Sequence, residues 1–393
     1  MYRIKTMNKI SPRGLALLDS SRFVVGDEQE KEHAILVRSA KLHDYAFPPE
    51  TLAVARAGAG VNNIPLDPCA KEGIVVFNTP GANANAVKEL ALAALLLASR
   101  NITGGVQWAK EQALAGEDVA AVVEKGKAQF AGVEIMGKTL GVVGLGAIGI
   151  LVANAAIKLG MNVVGYDPFL SVESALTLDP NVTMAKDLPK LYAAADFISL
   201  HLPMTAETKG SLSAAAFAQM KPGVRIINLA RGELVNNADM KAALESGAVA
   251  AYATDFPDSE ITTAKNVIPI PHLGASTEES EENCAIMAVQ EIQNYLDNGN
   301  IVNSVNLPNL AMDWETPVRI AAIFSVVAKD NPDPVASVRD ALAAEGITPA
   351  AMGSKIRGEY GYLIFDIPTP PSENALQALA ATDGILRLRM LKK

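Results

Sequence analysis

Short apolar runs recur along most of this chain, and each of them ends in polar or glycine-containing turns. An apolar run of this length, bounded by turn residues, is typical of a buried strand. Runs that alternate with helical stretches predict parallel β/α units. The candidate strands are residues 34–37, 52–55 and 73–77, then residues 139–143, 162–166, 196–200, 224–229, 248–252 and 266–269. The second group predicts a doubly wound sheet of about six strands.

The last quarter of the chain has a different pattern. Residues 276–279 resemble a capping box, which predicts a long amphipathic helix ending at Asn298. Residues 300–317 contain asparagine and proline without an apolar period, so we expect a linker or a peripheral strand. The remaining residues predict a βαββαβ unit of the ferredoxin-like type. Its elements are expected at residues 318–327, 335–344, 350–356, 360–367, 372–381 and 384–391.

A glycine-rich turn, Gly144-Leu145-Gly146-Ala147-Ile148-Gly149, stands between a predicted strand and an alanine-rich helical stretch. In a dinucleotide fingerprint the first glycine permits a tight turn and the second lets the backbone approach a pyrophosphate. The third glycine lets the helix pack closely on the strand. Such a run alone is often only a loop, but here the flanking strands and helix agree with the motif. The sequence therefore predicts a dinucleotide site.

Asp167 follows the next predicted strand, eighteen residues after Gly149. A carboxylate at this place accepts hydrogen bonds from the ribose hydroxyls and repels a 2′-phosphate. Residues 168–171 contain no arginine that would bind such a phosphate. The cofactor predicted from the sequence is therefore NAD rather than NADP.

Length, charge and composition limit the number of domains and the classes of partner that we expect. The chain has 393 residues, enough for two or three domains, and a net charge of −9 that disfavours a nucleic-acid partner. Two cysteines and four histidines form no metal-ligand spacing, so no metal is expected. The N-terminus lacks the apolar segment of a signal peptide, and the longest apolar run, residues 90–98, is too short for a membrane span. We expect a cytoplasmic protein without a membrane partner.

Oxidation of a 2-hydroxy acid needs a base, a cation for the carboxylate and an acid that supports the base. Arg231 and His272 each follow a predicted strand, and open α/β sheets bind ligands at that end of their strands. Glu260 lies between them as a candidate acidic partner for His272. Each residue taken alone is as easily a surface or structural side chain.

The order of these motifs identifies a family. The glycine turn, Asp167, the segments at residues 230–233 and 255–260, and Pro271-His272-Leu273-Gly274-Ala275 resemble the D-isomer-specific 2-hydroxyacid dehydrogenases. The resemblance covers nearly the whole chain and is most specific in residues 56–80 and 141–277. It implies that Arg231 orients the substrate, Glu260 is the relay acid and His272 exchanges the proton.

The resemblance also implies which residues contact the cofactor. Asp255 would bind the nicotinamide carboxamide and Asp167 the adenosine ribose. His201 is a second candidate catalytic histidine, but the resemblance places it in the lining of the cofactor cleft. The full set expected at NAD is Thr79, Gly144, Gly146, Ala147, Ile148, Gly149, Asp167, His201, Leu202, Pro203, Leu229, Ala230, Asp255, Gly274 and Ala275.

A division into domains follows from the same resemblance. The substrate domain would be formed by residues 1–99 and 277–308, the NAD-binding domain by residues 100–276 and the tail domain by residues 317–393. The crossings near Arg100 and Ser276 would be hinges that let the cleft close. The family implies a homodimer, in which residues 105–132 reach the partner, or a homotetramer formed through the tail.

Within the family the chain is most similar to members that act on 3-phospho-D-glycerate. Arg38 and Arg56 follow predicted strands and resemble phosphate-binding segments, although they could instead only bridge loops. Gly58, Ala59 and Asn78 complete the expected substrate site. The implied reaction is NAD-dependent oxidation to 3-phosphohydroxypyruvate. The alternatives are a glyoxylate or hydroxypyruvate reductase and a non-catalytic, NAD-sensing, corepressor-like protein.

The chain departs from the family pattern in two places. Ile261 follows Glu260 where the family usually has proline, which changes the rigidity of the loop. The tail resembles an ACT regulatory domain, but within residues 329–334 Asp333 stands where a glycine is common. Because a non-glycine residue restricts the backbone, we expect a dimerisation module with weak or no inhibition by serine.

Overall fold

Three sheets contain the strands of this protein in the computed structural model, which describes residues 1–328 and 333–393. The chain divides into two compact units. The first consists of Met1–Asn83 with Glu281–Lys393, and the second is Ala84–Ser280. Within the described ranges, no helix combines the length and the apolar character needed to cross a membrane.

The N-terminal sheet of the first unit has five parallel strands in the order β2-β1-β3-β4-β5. Its elements are β1 (Tyr2–Met7), α1 (Pro12–Leu15), β2 (Phe23–Gly26), β3 (Ala34–Val37), β4 (Ala53–Arg56), α2 (Leu66–Lys71) and β5 (Val75–Asn78). The sequence predicted β3, β4 and β5 but not β1 and β2. A helical stretch was also expected between β3 and β4, but residues 38–52 form turns instead. Pro48 and Pro49 explain this difference, because proline disfavours a helix at itself and at the preceding residue.

The second unit is a doubly wound parallel sheet of seven strands in the order β12-β11-β10-β9-β6-β7-β8. Its strands are β6 (Thr139–Val143), β7 (Asn162–Tyr166), β8 (Thr183–Met184), β9 (Phe197–Leu200), β10 (Val224–Asn228), β11 (Val249–Thr254) and β12 (Val267–Pro269). Its helices are α3 (Ala84–Ser99), α4 (Ile102–Leu114), α5 (Val119–Gly126), α6 (Ala147–Lys158), α7 (Val172–Thr177), α8 (Leu188–Ala194), α9 (Ala214–Phe217) and α10 (Asn237–Ser246). The order reverses between β6 and β9, where doubly wound sheets bind their ligands.

Helix α3 belongs to the second unit, where it packs against α6, β10 and β11. Its buried face is made mainly of alanine, including Ala91 and Ala94, which lets the two helices approach closely. The guanidinium of Arg225 on β10 donates to the carbonyl of Ala98 in the last turn of α3, at 2.9 Å. The compact units therefore divide at residues 83 and 280, whereas the crossings were expected near residues 100 and 276. The functional assignment of the domains stays a prediction.

Helices α4 and α5 have no buried residue. Val106 and Leu114 are among the exposed large apolar side chains of α4. Trp108 of α4 packs against Phe130, with 5.7 Å between the ring centroids, so the segment is held by its own aromatic contact. An apolar helical surface of this kind is typical of a face that another chain covers.

The tail has the predicted βαββαβ order. Its elements are β13 (Val318–Ser325), α12 (Pro334–Ala344), β14 (Ala351–Arg357), β15 (Tyr360–Ile367), α13 (Glu373–Ala380) and β16 (Ile385–Lys392). The strands pair antiparallel in the order β14-β15-β13-β16. The predicted fold class, two parallel-sheet α/β domains with a smaller tail domain, is confirmed. The ACT-like identity stays a prediction, and residues 329–332 of its expected ligand turn lie outside the described residues.

The tail sheet has two covered faces. Phe324 and Phe365 pack towards α12 and α13, whereas Ile323, Tyr362 and Ile364 share a core with the N-terminal sheet. The tail therefore shares the apolar core of the first unit.

Of the expected ligand turn, Asp333 is described. Its carboxylate accepts from the N–H of Ala336 at 2.9 Å, so Asp333 is the N-cap of α12.

Helix α11 (Glu278–Asn298) precedes the tail in the chain. The hydroxyl of Thr277 accepts from the N–H of Ser280 at 3.1 Å, so the cap lies one residue later than the predicted capping box. Residues 300–317 follow as the expected peripheral segment. Ile301 and Leu310 pair in a short bridge within it, and Ser304 bridges to β5.

Side chains of the tail satisfy the carbonyl groups at the C-terminal end of α11. Arg389 donates to the carbonyls of Tyr295 and Leu296 at 2.9 and 2.7 Å, and Arg319 donates to that of Asn298 at 2.8 Å. The last carbonyls of a helix have no partner within it, and cations there also interact well with the helix dipole. These contacts hold the tail sheet to α11.

A buried ion pair lies at the centre of this junction. The guanidinium of Arg319 contacts both carboxylate oxygens of Asp366, at 2.6 and 2.8 Å, and neither side chain is more than 2% exposed. Arg319 also donates to the carbonyls of Met312 and Asp313. All its hydrogen-bonding capacity is directed into the protein, as a buried charge requires.

Replacing Arg319 by methionine is expected to lower the free energy of unfolding by about 3–5 kcal/mol, because it leaves the Asp366 carboxylate buried and unpaired. The double variant Arg319→Met/Asp366→Leu is expected to recover part of this loss. Urea unfolding of the two variants and of the wild type measures the effect. A single variant as stable as the wild type would contradict the role of the pair.

Candidate active site

The glycine turn after β6 has the geometry that its sequence predicted. Gly144 has a positive φ of 91°, and its N–H donates to the carbonyl of Tyr166 at 2.9 Å. A Cβ at Gly144 would come within 2.5 Å of the His201 carbonyl oxygen, and one at Gly149 would overlap the carbonyl of Gly144. Both positions therefore require glycine, one for conformation and close approach and the other for packing of α6 on the turn.

Gly146 differs, because a Cβ there would meet open space. It is the N-cap residue of α6, and Ala147 and Ile148 follow as its first residues, whose N–H groups have no partner within the helix. The open space therefore adjoins a helix N-terminus that favours an anion. A pyrophosphate fits this arrangement.

Asp167 accepts two backbone hydrogen bonds from this region. Its Oδ2 accepts from the N–H of Leu145 and its Oδ1 from the N–H of Phe169, both at 2.8 Å. The carboxylate thus connects the end of β7 to the glycine turn. A carboxylate has about four acceptor sites, so two remain for ribose hydroxyls.

His201 lies directly under the turn, after β9. Its Nε2 is 2.9 Å from the hydroxyl of Ser199, and burial lowers the pKa of its imidazole to about 4. The side chain is therefore neutral at pH 7 and is poorly suited to exchange protons. This agrees with the expected cleft-lining role. The next residues, Leu202 and Pro203, are half-buried and exposed.

Asn228 shapes the loop that carries Arg231. Asn228 is fully buried at the end of β10, where its amide donates to the Arg231 carbonyl at 2.9 Å and to the Tyr252 hydroxyl at 3.2 Å. Its Oδ1 accepts from the N–H groups of Ala230 and Arg231. The Arg231 guanidinium donates to the carbonyl of Ala230 at 2.6 Å. Asn228 was not among the site residues predicted from the sequence, although it lies two residues before the Arg motif at residues 230–233.

Asp255 lies at the end of β11, and its charge interacts with those of His272 and Arg231. Burial raises the pKa of the Asp255 carboxyl, and those two side chains act in the opposite direction. Its Oδ2 accepts from the N–H of Gly274 at 3.3 Å, and its Oδ1 is buried without a partner. Asp255 therefore lies within electrostatic range of two other predicted residues and keeps one unsatisfied acceptor. A carboxamide N–H of nicotinamide fits that acceptor.

His272 is exposed and packs against Phe256, with 4.6 Å between the ring centroids. Glu260, the expected partner of His272, lies elsewhere: its carboxylate is 55% exposed and 3.8 Å from the Lys241 ammonium. No hydrogen bond joins Glu260 to His272 in the part of the chain that the structure describes. The relay role of Glu260 therefore stays a prediction. Phe256 and Lys241 carry no sequence signal for these contacts.

The expected substrate residues gather at the strand ends of the first unit. Arg56 Nε donates to the carbonyl of Arg38 at 3.0 Å, and Asn78 Nδ2 donates to that of Ala59 at 2.6 Å. The Thr79 N–H donates to the Gly58 carbonyl at 3.2 Å. These bonds connect the loops after β3, β4 and β5.

Two side chains here have an ion pair or a burial that the sequence did not predict. Arg38 Nη2 lies 2.7 Å from Oε1 of Glu281, near the start of α11, and both side chains are about 40% exposed. Thr79 Oγ1 is buried without a hydrogen-bond partner. Its hydroxyl is thus an unsatisfied buried polar group. The pairing of Arg38 with Glu281 joins residues far apart in the chain, and spacing alone does not predict it.

The open space at Gly146 and the free acceptor of Asp255 both fit NAD. Of the other residues expected at the cofactor, Leu229 is buried and Ala275 is half-buried. Among residues 1–328 and 333–393 no cluster of three His, Cys, Asp or Glu side chains could hold a metal ion.

The chain is similar to known proteins over most of its length. Residues 92–274 match the family described as D-isomer specific 2-hydroxyacid dehydrogenase, NAD binding domain. The chain is 35% identical over 398 residues to a D-3-phosphoglycerate dehydrogenase of Mycobacterium tuberculosis (strain ATCC 25618 / H37Rv), covering 94% of this chain and 72% of that protein. It is 34% identical over 369 residues to one of Bacillus subtilis, covering 88% and 67%. The NAD⁺-bound 3-phosphoglycerate dehydrogenase of Entamoeba histolytica superposes with a TM-score of 0.61 at 25% identity, covering 79% of this chain and 99% of that structure.

Gly146→Ala is expected to leave the fold intact and to weaken NADH binding about tenfold or more, because the methyl group occupies the space beside the N-terminus of α6. NADH fluorescence titration and a thermal melt measure both effects. Gly149→Ala is the matched control, and it is expected to destabilise the unit because its Cβ overlaps the backbone. Unchanged NADH affinity in Gly146→Ala would show that the pyrophosphate lies elsewhere.

Proposed function

This chain belongs to the D-isomer-specific 2-hydroxyacid dehydrogenase family, and we propose that it oxidises 3-phospho-D-glycerate to 3-phosphohydroxypyruvate with NAD⁺. The observation that carries the proposal is the pair of arginines at the ends of adjacent strands. Arg38 follows β3 and Arg56 is the last residue of β4, and a hydrogen bond from the Arg56 side chain to the Arg38 carbonyl holds the two strand ends together. Two guanidinium groups suit a phosphate dianion, which a glyoxylate-like substrate lacks.

In this proposal Arg231 binds the carboxylate of the substrate. The planar guanidinium makes two parallel hydrogen bonds to a carboxylate, which a lysine cannot. The buried amide of Asn228 fixes the loop from which Arg231 extends, through bonds to both ends of the Ala230–Arg231 segment. The position of the guanidinium is therefore set by the core of the sheet and not by the loop alone.

His272 takes the proton of the C2 hydroxyl in the oxidative direction. NAD⁺, when bound, supplies the hydride acceptor for the hydrogen on C2. The imidazole becomes cationic as it takes the proton. Phe256 contacts the imidazole in a tilted arrangement, with 4.6 Å between the ring centroids. Glu260 is the expected second acid, and its move from Lys241 to His272 would be part of the catalytic cycle.

The remaining assignments follow the same proposal. Residues 100–276 would form the cofactor domain, residues 1–99 with 277–308 the substrate domain, and residues 317–393 an ACT-like dimerisation module. The exposed apolar side chains of α4, including Val106 and Leu114, support a homodimer in which this segment contacts the partner. A cytoplasmic location suits an enzyme whose substrate is a phosphorylated metabolite.

One observation favours a second function, reduction of glyoxylate or hydroxypyruvate. Glu281 already neutralises part of the charge of Arg38, so the first unit has less free positive charge than its arginines suggest. Comparing rates of NADH oxidation with 3-phosphohydroxypyruvate, hydroxypyruvate and glyoxylate decides between the two. A preference of several hundredfold for the phosphorylated acid supports the proposal, and equal or better use of the other two acids supports the reductase.

His272→Gln is expected to lower kcat by about 10²–10⁴-fold, because it removes the base while preserving the shape of the side chain. The affinity for NADH is expected to stay within about twofold of the wild type, since the glycine turn is untouched. Steady-state kinetics and NADH titration on the same preparation measure the two effects. A fully active variant would remove His272 from the mechanism.

Arg38→Gln and Glu281→Gln are expected to have opposite effects on the binding of the phosphorylated acid. The first lowers kcat/KM for the phosphorylated acid about a hundredfold and leaves that for hydroxypyruvate nearly unchanged. The second lowers KM for the phosphorylated acid about fivefold, because it removes a half-exposed competitor for the guanidinium. Glu282→Gln is the matched control, since Glu282 pairs with Arg13 instead. The same KM in Glu281→Gln as in the wild type would show that the pair has no effect on substrate binding.

A further inference from the structure

One buried carboxyl group has no part in the chemistry described so far. Glu291 lies in the middle of α11 and is 7% exposed. Its Oε1 accepts from the side-chain amide of Asn303 at 2.7 Å, and its Oε2 is buried without a partner. A charged carboxylate with a single hydrogen bond is costly in such a place, whereas a neutral carboxylic acid is tolerated.

The surroundings of Glu291 contain little charge. The nearby segment at residues 301–310 has no charged residue. On the same helix, Tyr295 packs against Phe77 of β5. Arg357 of β14 donates to the carbonyl of Ser304. Burial raises the pKa of Glu291 to about 8, opposed only by the Asn303 hydrogen bond. The group is therefore mostly protonated at pH 7.

Asn303 connects this carboxyl to the substrate loop. Asn303 has a left-handed backbone with φ of 61°, which is uncommon for a residue other than glycine. Its carbonyl accepts from the N–H of Asn78 at 3.5 Å, and two residues later the N–H of Val305 donates to the carbonyl of Val76 at 2.9 Å. The segment thus runs beside the end of β5, where Asn78 and Thr79 begin the expected substrate loop.

We propose that Glu291, as a neutral carboxylic acid, is a positioning residue that holds Asn303 and thereby fixes Asn78 for substrate binding. The inference rests on the proposed function only in taking Asn78 as part of the substrate site. Glu291 contacts neither substrate nor cofactor. Its effect is on substrate affinity, through the backbone of the segment at residues 303–305 and the bond from Asn78 to Ala59.

Ionisation of Glu291 is expected to disturb this arrangement. Its folded-state pKa lies above the ordinary value of 4.5, so the folded protein holds a proton that the unfolded chain releases. Stability therefore decreases as the pH rises from about 4.5 to about 8. Above that range the carboxylate is charged and buried, and the site responds by moving towards water. Loss of substrate affinity at alkaline pH is the functional consequence.

The test compares KM and kcat from pH 6.5 to 9.5 in the wild type, Glu291→Gln, Glu291→Ala and the exposed neighbour control Gln290→Ala. Glutamine keeps the acceptor for Asn303 and cannot ionise. We expect KM of the wild type and of the control to rise about fivefold or more above pH 8, and KM of Glu291→Gln to stay flat. Glu291→Ala is expected to raise KM five- to tenfold at every pH, with kcat within twofold.

The same alkaline rise in Glu291→Gln as in the wild type would overturn the proposal, as would an unchanged KM in Glu291→Ala. If Glu291→Ala does not fold, the pH comparison of the wild type with Glu291→Gln decides alone. The assay uses whichever of 3-phosphohydroxypyruvate, hydroxypyruvate and glyoxylate the wild type prefers. A preference for an unphosphorylated acid would therefore refute the proposed substrate without affecting the test of Glu291.

Discussion

The hydrogen bonds at the end of α11 are the interaction on which the first unit depends. A helix leaves its last carbonyls unsatisfied, and here the donors come from Arg389 and Arg319 of the tail sheet. Because the guanidinium of Arg319 is also fixed by Asp366, the helix end and the tail cannot move independently without exposing a buried charge. The same helix carries Glu281 beside Arg38 and Glu291 beside Asn303. The substrate loops are therefore organised from a helix whose end is fixed by the tail.

The parts of the site that the sequence predicted are those governed by local backbone geometry. Gly144 must adopt a positive φ and Gly149 must admit the backbone of the turn, so these requirements appear directly as residue types at fixed spacing. Strands of a parallel sheet are buried on both faces and read as apolar runs, which is why β6, β9 and β10 were predicted. Residues directly after such strands meet at one edge, and Arg231 and His272 were recognised for that reason, whereas Asp255 was assigned from the family resemblance.

The parts that the sequence did not reveal depend on contacts between distant residues. Arg225 binds the carbonyl of Ala98 at the end of α3, more than a hundred residues away in the chain. The spacing of residues in the sequence does not predict that hydrogen bond. Strand β1 alternates charged and apolar residues at the chain terminus, and β8 is only two residues long, so neither gives a clear pattern. Asp255 was predicted to contact only the cofactor. In the folded chain its carboxyl is also buried, and the charge of His272 acts on its pKa. Electrostatic coupling of this kind is a property of the folded chain.

Two glutamates of α11 show how far environment separates identical side chains. Glu281 is about 40% exposed and pairs with the guanidinium of Arg38, which lowers the positive potential offered to a phosphate. Glu291 lies ten residues further along, in a buried place with an amide as its one partner, and it keeps its proton at neutral pH. The charged residue tunes attraction for the substrate, and the neutral residue sets the shape of the loop that receives it. A charge at position 291 would oppose the fold, whereas the loss of charge at position 281 would favour a phosphorylated ligand.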